Sequence, residues 1–564
     1  MDIRRTVLWM IFSLSLLMLW NNWQIHTGQP SFFGGPPAST QVADAGTAQN
    51  GQPAGQATDT TVPAGVAAQA EGGTVPASAS GAAPAPSELV TITTDVYKLT
   101  FDTLGAQLIG AELLKYKASD TDDQPMVLLQ KNPSSTYVIQ TGIVGAPAGE
   151  SYPTHLTPFS WVAGDTQMAG DTLNVVFEAE SNGVKVTKTY TLHKGRYDIT
   201  VNHQVSNATQ APITPSLYLQ LVRDGNDPPE TSMFYSTFTG PALYSEQDKF
   251  QKVTFSAVDK GNAEYIRQAD NGWIGMVQHY FASAWVPREG AVRHNEVLKV
   301  SNNLYAIRAI EAIGTVAPGQ QTSVESKLWV GPQDQDAMSA LAPGLDLVVD
   351  YGFLTIISKP LFMIMTWLHA ILGNWGWTIV VLTLLIKAVF YPLSAASYRS
   401  MAKMKQVTPR MQALREKFGD DKAKLNTAMM EMYRTEKINP LGGCLPMLIQ
   451  IPVFIALYWV LLGSVEMRGA PWILWIHDLS VRDPWFILPA IMMATMFLQI
   501  KLNPTPPDPM QARVMMMMPL VFGGMMFFFP AGLVLYWCVN NAVSIAQQRY
   551  IMHKLDKEAA AAAR

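Results

Sequence analysis

GWTIVVLTLLIKAVFYPL, residues 376–393, decides the fold. A helix needs about 20 predominantly apolar residues to cross a bilayer, and this run is near that length with one charge, Lys387. A cation at the bilayer centre costs ~2.5–3.5 kcal/mol on insertion scales, so such a residue normally faces protein or a water-filled cavity. Thr383 and Tyr391 stand four residues either side of it and share its helix face. A second reading is equally open. Lys387 lies about six residues from the end of the run, roughly 9 Å of helix rise, and its stem could snorkel to the membrane surface.

Working outward, the spacing predicts further spans at Leu445–Leu462, Trp485–Ile500, Val514–Phe529 and Leu533–Gln548, with Pro530-Ala531-Gly532 as a tight turn between the last two. Phe353–Leu372 is apolar but carries Lys359, Pro360, Trp367 and His369, which suggests a helix in the interface rather than across it. At the start of the chain, Arg4 and Arg5 precede an apolar run from Val7 to Trp20 that ends in Trp20-Asn21-Asn22-Trp23 without a small-residue cleavage site. An uncleaved anchor fits this better than a signal peptide. Between Tyr398 and Pro440 there are ten Lys/Arg against five Asp/Glu, whereas Glu466–Pro484 holds only Arg468 and Arg482 as basic residues. The positive-inside rule then puts the basic segment and both termini in the cytoplasm.

The expected domains are a transmembrane anchor (1–27), a disordered linker (28–88), an external β domain (89–332) and external or interfacial helices (333–373). A second span (374–397), a cytoplasmic hairpin (398–441), a third span (442–465) and an outer loop (466–484) follow. The chain closes with a fourth span (485–502), an inner loop (503–513), a fifth span (514–529), a sixth (533–550) and a tail (551–564). The linker, rich in Ala, Gly, Pro, Gln, Ser and Thr, lacks the apolar surface to offset its ordering entropy. In the β domain, Tyr197, Ile199 and Val201 alternate with polar residues, and Asn182-Gly183 separates two β-like runs as a hairpin turn would. More strands are expected at Tyr97–Phe101, Ala306–Ile310 and Ser323–Val330.

Function classes narrow quickly. Of the 564 residues 15% are charged and the formal net charge is −4, so nothing points to DNA. No nucleophile elbow, phosphate-binding loop or metal motif is present, and the nine histidines have no ligand spacing, so neither an enzyme nor a cofactor is expected. Cys444 and Cys538 lie in apolar runs and read as packing residues. Polar groups instead cluster in the spans. Trp537, Asn541, Ser544 and Gln548 form a stripe at i, i+4, i+7, i+11, widened by Asn540 and Gln547, while Gln450, Thr495 and Gln499 lie on other spans. Each alone could be interhelical glue; with Lys387 they suggest a shared wet groove. Pro452 and Pro519 sit within spans, and Met515 to Met518, Met525 and Met526 give the fifth span a flexible apolar surface suited to many partners. In the hairpin, Met404, Val407, Met411, Leu414 and Phe418 keep a 3-4-3-4 seam. Gly419 would stop that helix, Asp420 or Asp421 would cap the next, and Leu425, Met429 and Met432 give a second stripe. Lys403, Lys405, Arg410, Arg415, Lys422 and Lys424 line the outside, solvated or drawn to anionic lipid, ribosomal RNA or a nascent chain.

Several motifs resemble the YidC membrane protein insertases of the YidC/Oxa/Alb superfamily. They are Tyr391-Pro392-Leu393-Ser394, Ser400-Met401-Ala402-Lys403-Met404, Asn439 to Pro446, Ile449-Gln450-Ile451-Pro452, Trp475 to Leu479, and Phe529 to Trp537. Gly272-Trp273-Ile274 and Gln278 to Ala282 are similar too, and the extra anchor with its large β domain resembles the Gram-negative form. The resemblance implies a membrane α-helical bundle, a five-span insertase core plus an N-terminal anchor, with a periplasmic all-β supersandwich domain. It also implies a hydrophilic groove open to cytoplasm and lipid, holding a basic residue that is usually Arg. Lys387 matches that position, keeping the charge but losing the planar fork. Thr383, Gln450, Tyr536 and Trp537 would line the groove, which Asn541 joins as a member of the polar stripe, and Phe454, Met518 and Met525 would belong to an apolar slide. Met404, Met411, Arg410 and Arg415 would mark the hairpin that captures a client. The implied partners are nascent membrane proteins, the ribosome, the Sec translocon with accessory subunits, and membrane lipids. A small-solute transporter and a non-inserting scaffold are the rival readings; the former should show internal repeats with paired broken helices.

Overall fold

The computed structural model describes residues 87–562, apart from 120–121, 163, 229–236, 419–420, 437–444 and 504–508. The expected anchor, the tether up to residue 86, Gly419, Asp420 and the Asn439–Cys444 part of one motif lie outside the described residues. The chain divides into two compact units, one ending at Val349 and one beginning at Asp350.

The first unit is a sandwich of two antiparallel sheets, nine strands each among the described residues. One sheet runs β1 (Leu89–Thr93), β2 (Tyr97–Asp102), β3 (Gln107–Ser119), β4 (Asp122–Asn132), β5 (Ser135–Val144), β10 (Ser216–Asp224), β17 (Leu304–Ala312), β16 (Arg293–Ser301), β13 (Gln268–Ala269). The other runs β12 (Lys249–Lys252), β11 (Gly240–Ser245), β14 (Trp273–Gln278), β15 (Phe281–Val286), β18 (Gln321–Pro332), β9 (Asp198–Asn207), β8 (Val184–His193), β7 (Thr172–Ser181), β6 (Ser160–Trp161). All the strands expected from the sequence are present, β9 starting one residue later. The β7–β8 turn places Asn182 at φ 51° and Gly183 at φ 73°, the double left-handed geometry whose twist matches that of the strands.

Alternation fills the core. Val184, Val186, Lys188, Tyr190 and Leu192 all point inward from β8, so the period of two that buries the apolar residues also buries a lysine. Its ammonium donates to Gly105 O at 2.7 Å and Thr141 O at 2.8 Å and stands 4.5 Å from the centre of the Phe159 ring. His203 on β9 shares Thr141 through a 2.9 Å contact between Nε2 and Oγ1. Strand β10 is buried at every position. Across the first sheet its Gln220 joins a row of side chains. Arg308 donates to Glu296 at 2.6 Å and to Gln220 at 3.4 Å, Gln220 donates to Gln140 at 2.8 Å, and Gln140 to Gln107 at 2.8 Å. Gln107 ends the row on the carbonyls of Leu104 and His155.

Helix α2 (Gln335–Leu341), after the short α1 (Phe255–Asp259), closes the first unit, with a 3-10 turn at Leu345–Val348. The second unit is helical. Its members are α3 (Thr355–Leu372), α4 (Trp375–Val389), α5 (Tyr391–Phe418), α6 (Lys422–Thr435), α7 (Leu445–Gly463), α8 (Ile487–Leu502), α9 (Pro509–Met525) and α10 (Ala531–Ala562).

Two boundaries differ from the sequence reading. The expected second span does not continue through Leu393; α4 ends at Val389 and α5 departs at 64°, because Pro392 favours the first turn of a new helix over the interior of an old one. The last helix runs unbroken to Ala562 instead of ending near residue 550. Helix α3 has Pro360 inside it and, by length and composition, is apolar enough to cross a membrane. The α4–α5 pair meets the same test only if taken together, and Gln450–Gly463, Ile487–Leu502 and Ala512–Phe528 are shorter apolar helices.

Candidate functional site: a buried lysine among amides

Helix α4 begins where Asn374 caps it, its Oδ1 accepting from Trp377 N at 3.1 Å. From there Ile379, Thr383 and Lys387, four residues apart, lie on the face turned to the other helices. Lys387 is therefore not a surface lysine; it is 3% exposed. Its Nζ donates to Ser544 Oγ at 2.7 Å and lies 3.5 Å from Gln450 Oε1. Ser544 uses its own proton on Asn540 O at 2.7 Å, which leaves its oxygen lone pairs for the ammonium. Gln547 Nε2 reaches Lys387 O at 3.5 Å, and Tyr398 on α5 donates to Ser544 O at 3.3 Å. Three helices, α4, α7 and α10, thus converge on one cation. Among the described residues no carboxylate lies within ion-pair distance of it. Snorkelling does not describe this side chain.

The polar stripe of α10 is split. Asn541 does not join Lys387; its Nδ2 donates to Thr495 Oγ1 on α8 at 3.2 Å. Gln548 is likewise held on the α8 side, accepting from Gln499 and donating to Asn503 Oδ1 at 3.1 Å. These are the interhelical amide contacts that the sequence left as an alternative. Thr383 is buried and donates to Ile379 O at 2.7 Å, so its hydroxyl proton is spent within α4. Tyr536 and Trp537 pack on Phe454, with ring centres 6.1 and 4.8 Å away, and Trp537 also meets Phe522 at 5.2 Å. The Trp537 Nε1 is buried without a hydrogen-bond partner, an apolar setting for both rings. Of the six residues expected to line one groove, the structure brings together Lys387 and Gln450. Ser544 was legible in the stripe, but nothing in the spacing singled it out as the nearest partner.

Met518 and Met525 are exposed, as are Met516, Met517, Leu520 and Val521, giving α9 a broad apolar face. In the hairpin, Val407 and Met411 are buried against Met404, Met429, Met432 and Tyr433, while Leu414, Phe418 and Leu425 are only half-buried. Asp421 provides the cap, its Oδ1 accepting from Lys424 N. Arg410 is exposed and pairs with Glu436 at 2.5 Å; Arg415 is half-buried. A cavity of about 290 Å³ lies elsewhere, at the N-terminal end of α4, lined by His369, Asn374, Trp375, Glu466 and Arg468 among others.

Residues 89–364 match the YidC periplasmic domain, and residues 367–558 match the family described as 60Kd inner membrane protein. A protein of Bordetella petrii named membrane protein insertase YidC is 69% identical over 563 residues, covering 100% of both chains. This chain belongs to the YidC family of membrane protein insertases. A second YidC, from Burkholderia multivorans, is 51% identical and covers 98% of this chain and 99% of its own. A solved structure described as an active YidC insertase with its first transmembrane domain resolved covers 82% of this chain and 92% of its own, at 18% identity and a TM-score of 0.38. The β sandwich followed by a helical region is the order of these two matched regions.

Proposed function

We propose that this chain inserts, folds and assembles integral proteins of a bacterial inner membrane, without cofactor or covalent chemistry, by offering an emerging client a cationic polar site at Lys387. The observation that carries the reading is a buried ammonium answered, among the described residues, only by neutral oxygens. Desolvation of a charge is costly unless it is paired and hydrogen-bonded. Ser544 and Gln450 offset part of that cost, and an anionic flank of a client supplies the missing counter-charge. Lowering the barrier for such a flank lets the apolar part of the client move to lipid under its own burial. The exposed apolar face of α9, with Met518 and Met525, and Phe454 are the surfaces along which it leaves. The α5–α6 hairpin, with Met404, Met411, Arg410 and Arg415, faces the cytoplasm and receives the client from the ribosome, alone or beside the Sec translocon. In this topology both termini are cytoplasmic and the sandwich is periplasmic.

Reconstitution in vesicles tests it. Lys387→Arg inserts a single-span client with an acidic tail within about three-fold of the parent protein. Lys387→Glu loses at least ten-fold on that client and less on one with a neutral tail. Equal insertion of the acidic client by Lys387→Glu ends the charge reading. Solute flux without insertion would restore the transporter reading, and binding without insertion the scaffold.

A further inference from the structure

The cavity at the start of α4 has no part in the route just described. Its floor is the α3–α4 junction, where Gly373 turns at φ 65° and His369 stacks on Trp375 at 4.0 Å and 8°. Its far wall is the segment after α7, with Glu466, Arg468, Ala470 and Pro471. The two walls are pinned together. Asn374 Nδ2 donates to Pro471 O at 2.9 Å, and Trp472 lies so close to Gly376 that any Cβ there would collide with its ring. About 290 Å³ is the lower end of small-ligand sites.

Two further features bear on what the cavity holds. Trp375 lines it, and further tryptophans lie on or beside the segments that form it. Trp377 meets Trp472 at 5.8 Å, Trp475 stacks on Trp485 at 5.8 Å, and Trp367 is exposed one turn before the junction. Such a belt marks the level of lipid headgroups. From the cavity, Ile371, Leu372, Trp367 and Trp377 continue as exposed apolar surface, where acyl chains can lie. The charges are of both signs and two residues apart. A guanidinium has five donors and a carboxylate about four acceptor sites, so each can serve a ligand beside its contacts within the protein. The depth rests on the membrane placement proposed above, which also puts Arg468 on the side where basic residues are scarce.

We propose that this cavity binds the headgroup of a zwitterionic aminophospholipid, with the phosphate on Arg468 and the primary ammonium on Glu466. An anionic headgroup without an amine brings Glu466 no further donor, and a quaternary ammonium has no proton to give it. A phosphodiester with a primary amine is the shared chemistry, whether lipid or soluble.

The test uses the full chain, loaded with equimolar dioleoyl phosphatidylethanolamine, phosphatidylcholine and phosphatidylglycerol and stripped stepwise in native mass spectrometry. Phosphatidylethanolamine is retained at least five-fold over the other two. Arg468→Gln lowers its retention at least five-fold, Arg468→Lys recovers part of it, and Glu466→Gln removes the preference over phosphatidylcholine. Glycerophosphoethanolamine at the same concentration does not displace the lipid. Equal retention of the three lipids by the parent protein overturns the site and needs no variant to fold. Full displacement by the soluble compound overturns the lipid assignment. Insertion by the Lys387 variants is read separately, so either proposal can fail while the other stands.

Discussion

Two buried lysines show how differently one residue type can be used. Lys387 was legible as unusual because it interrupts an apolar run, and its inward direction follows from the shared face of Ile379 and Thr383. Removing its nearest acceptor with Ser544→Ala leaves the ammonium on Gln450 alone; insertion of an acidic client falls several-fold in the vesicle assay, since one charge-assisted bond is worth ~1.5–3 kcal/mol. Lys188 was not legible, because a lysine in an alternating strand reads as a surface residue. Burial pulls its ammonium down from 10.5 to about 7. Below about pH 7 both folded and unfolded chains hold that proton. Between about 7 and 10.5 the unfolded chain binds it more tightly, so stability rises with pH across this window. His203, held down to about 3 by burial and by Lys188, gives a second rise between about 3 and 6.5 for the same reason. Lys188→Met flattens the upper window in pH-resolved thermal unfolding of the full chain and narrows the lower one from its acid side, because burial alone then holds His203 down.

At the level of elements, strong local chemistry gave strong expectations. Asn182-Gly183 specified its turn, and Gly183→Ala would both strain a φ of 73° and bring a Cβ to 3.0 Å from Thr209 Cγ2. It costs ~1–2 kcal/mol, read as a lowered Tm of the sandwich transition. The hairpin behaved similarly: the seam identified Val407 and Met411, and Asp421→Ala should cost ~1 kcal/mol by removing the α6 cap. The span edges were less legible, because composition fixes how much apolar chain there is but not where the backbone bends. Tyr391 and Pro392 lie inside the apolar run, yet begin a new helix. On α9 the exposed methionines invite a direct trial. Met518→Lys puts a charge on the face proposed to pass clients, at ~2.5–3.5 kcal/mol in lipid, and photo-crosslinking from residue 521 to an arrested client should fall with it.

For the molecule as a whole, the order of a β unit and a helical unit could be read from changes of periodicity, and family membership followed from motifs spread along both. The partition of the α10 amides could not. Four polar residues on one stripe look equivalent in sequence, whereas Ser544 meets Lys387 and Asn541 meets Thr495 only because α4 and α8 approach α10 from different sides. The sandwich poses the same difficulty. Gln107, Gln140, Gln220, Arg308 and Glu296 are far apart in the chain, and only the pairing of Gln140 with Gln220, of Gln220 with Arg308 and of Arg308 with Glu296 makes them one row.

That row has a direction. Each amide spends its nitrogen on the next oxygen, from the guanidinium of Arg308 to the carbonyls at Leu104 and His155. No glutamine can turn over alone, because two nitrogens would then face each other on one side and two oxygens on the other. The five strands are thus set like dominoes leaning one way, each amide held in its orientation by the guanidinium at one end of the row and the carbonyls at the other.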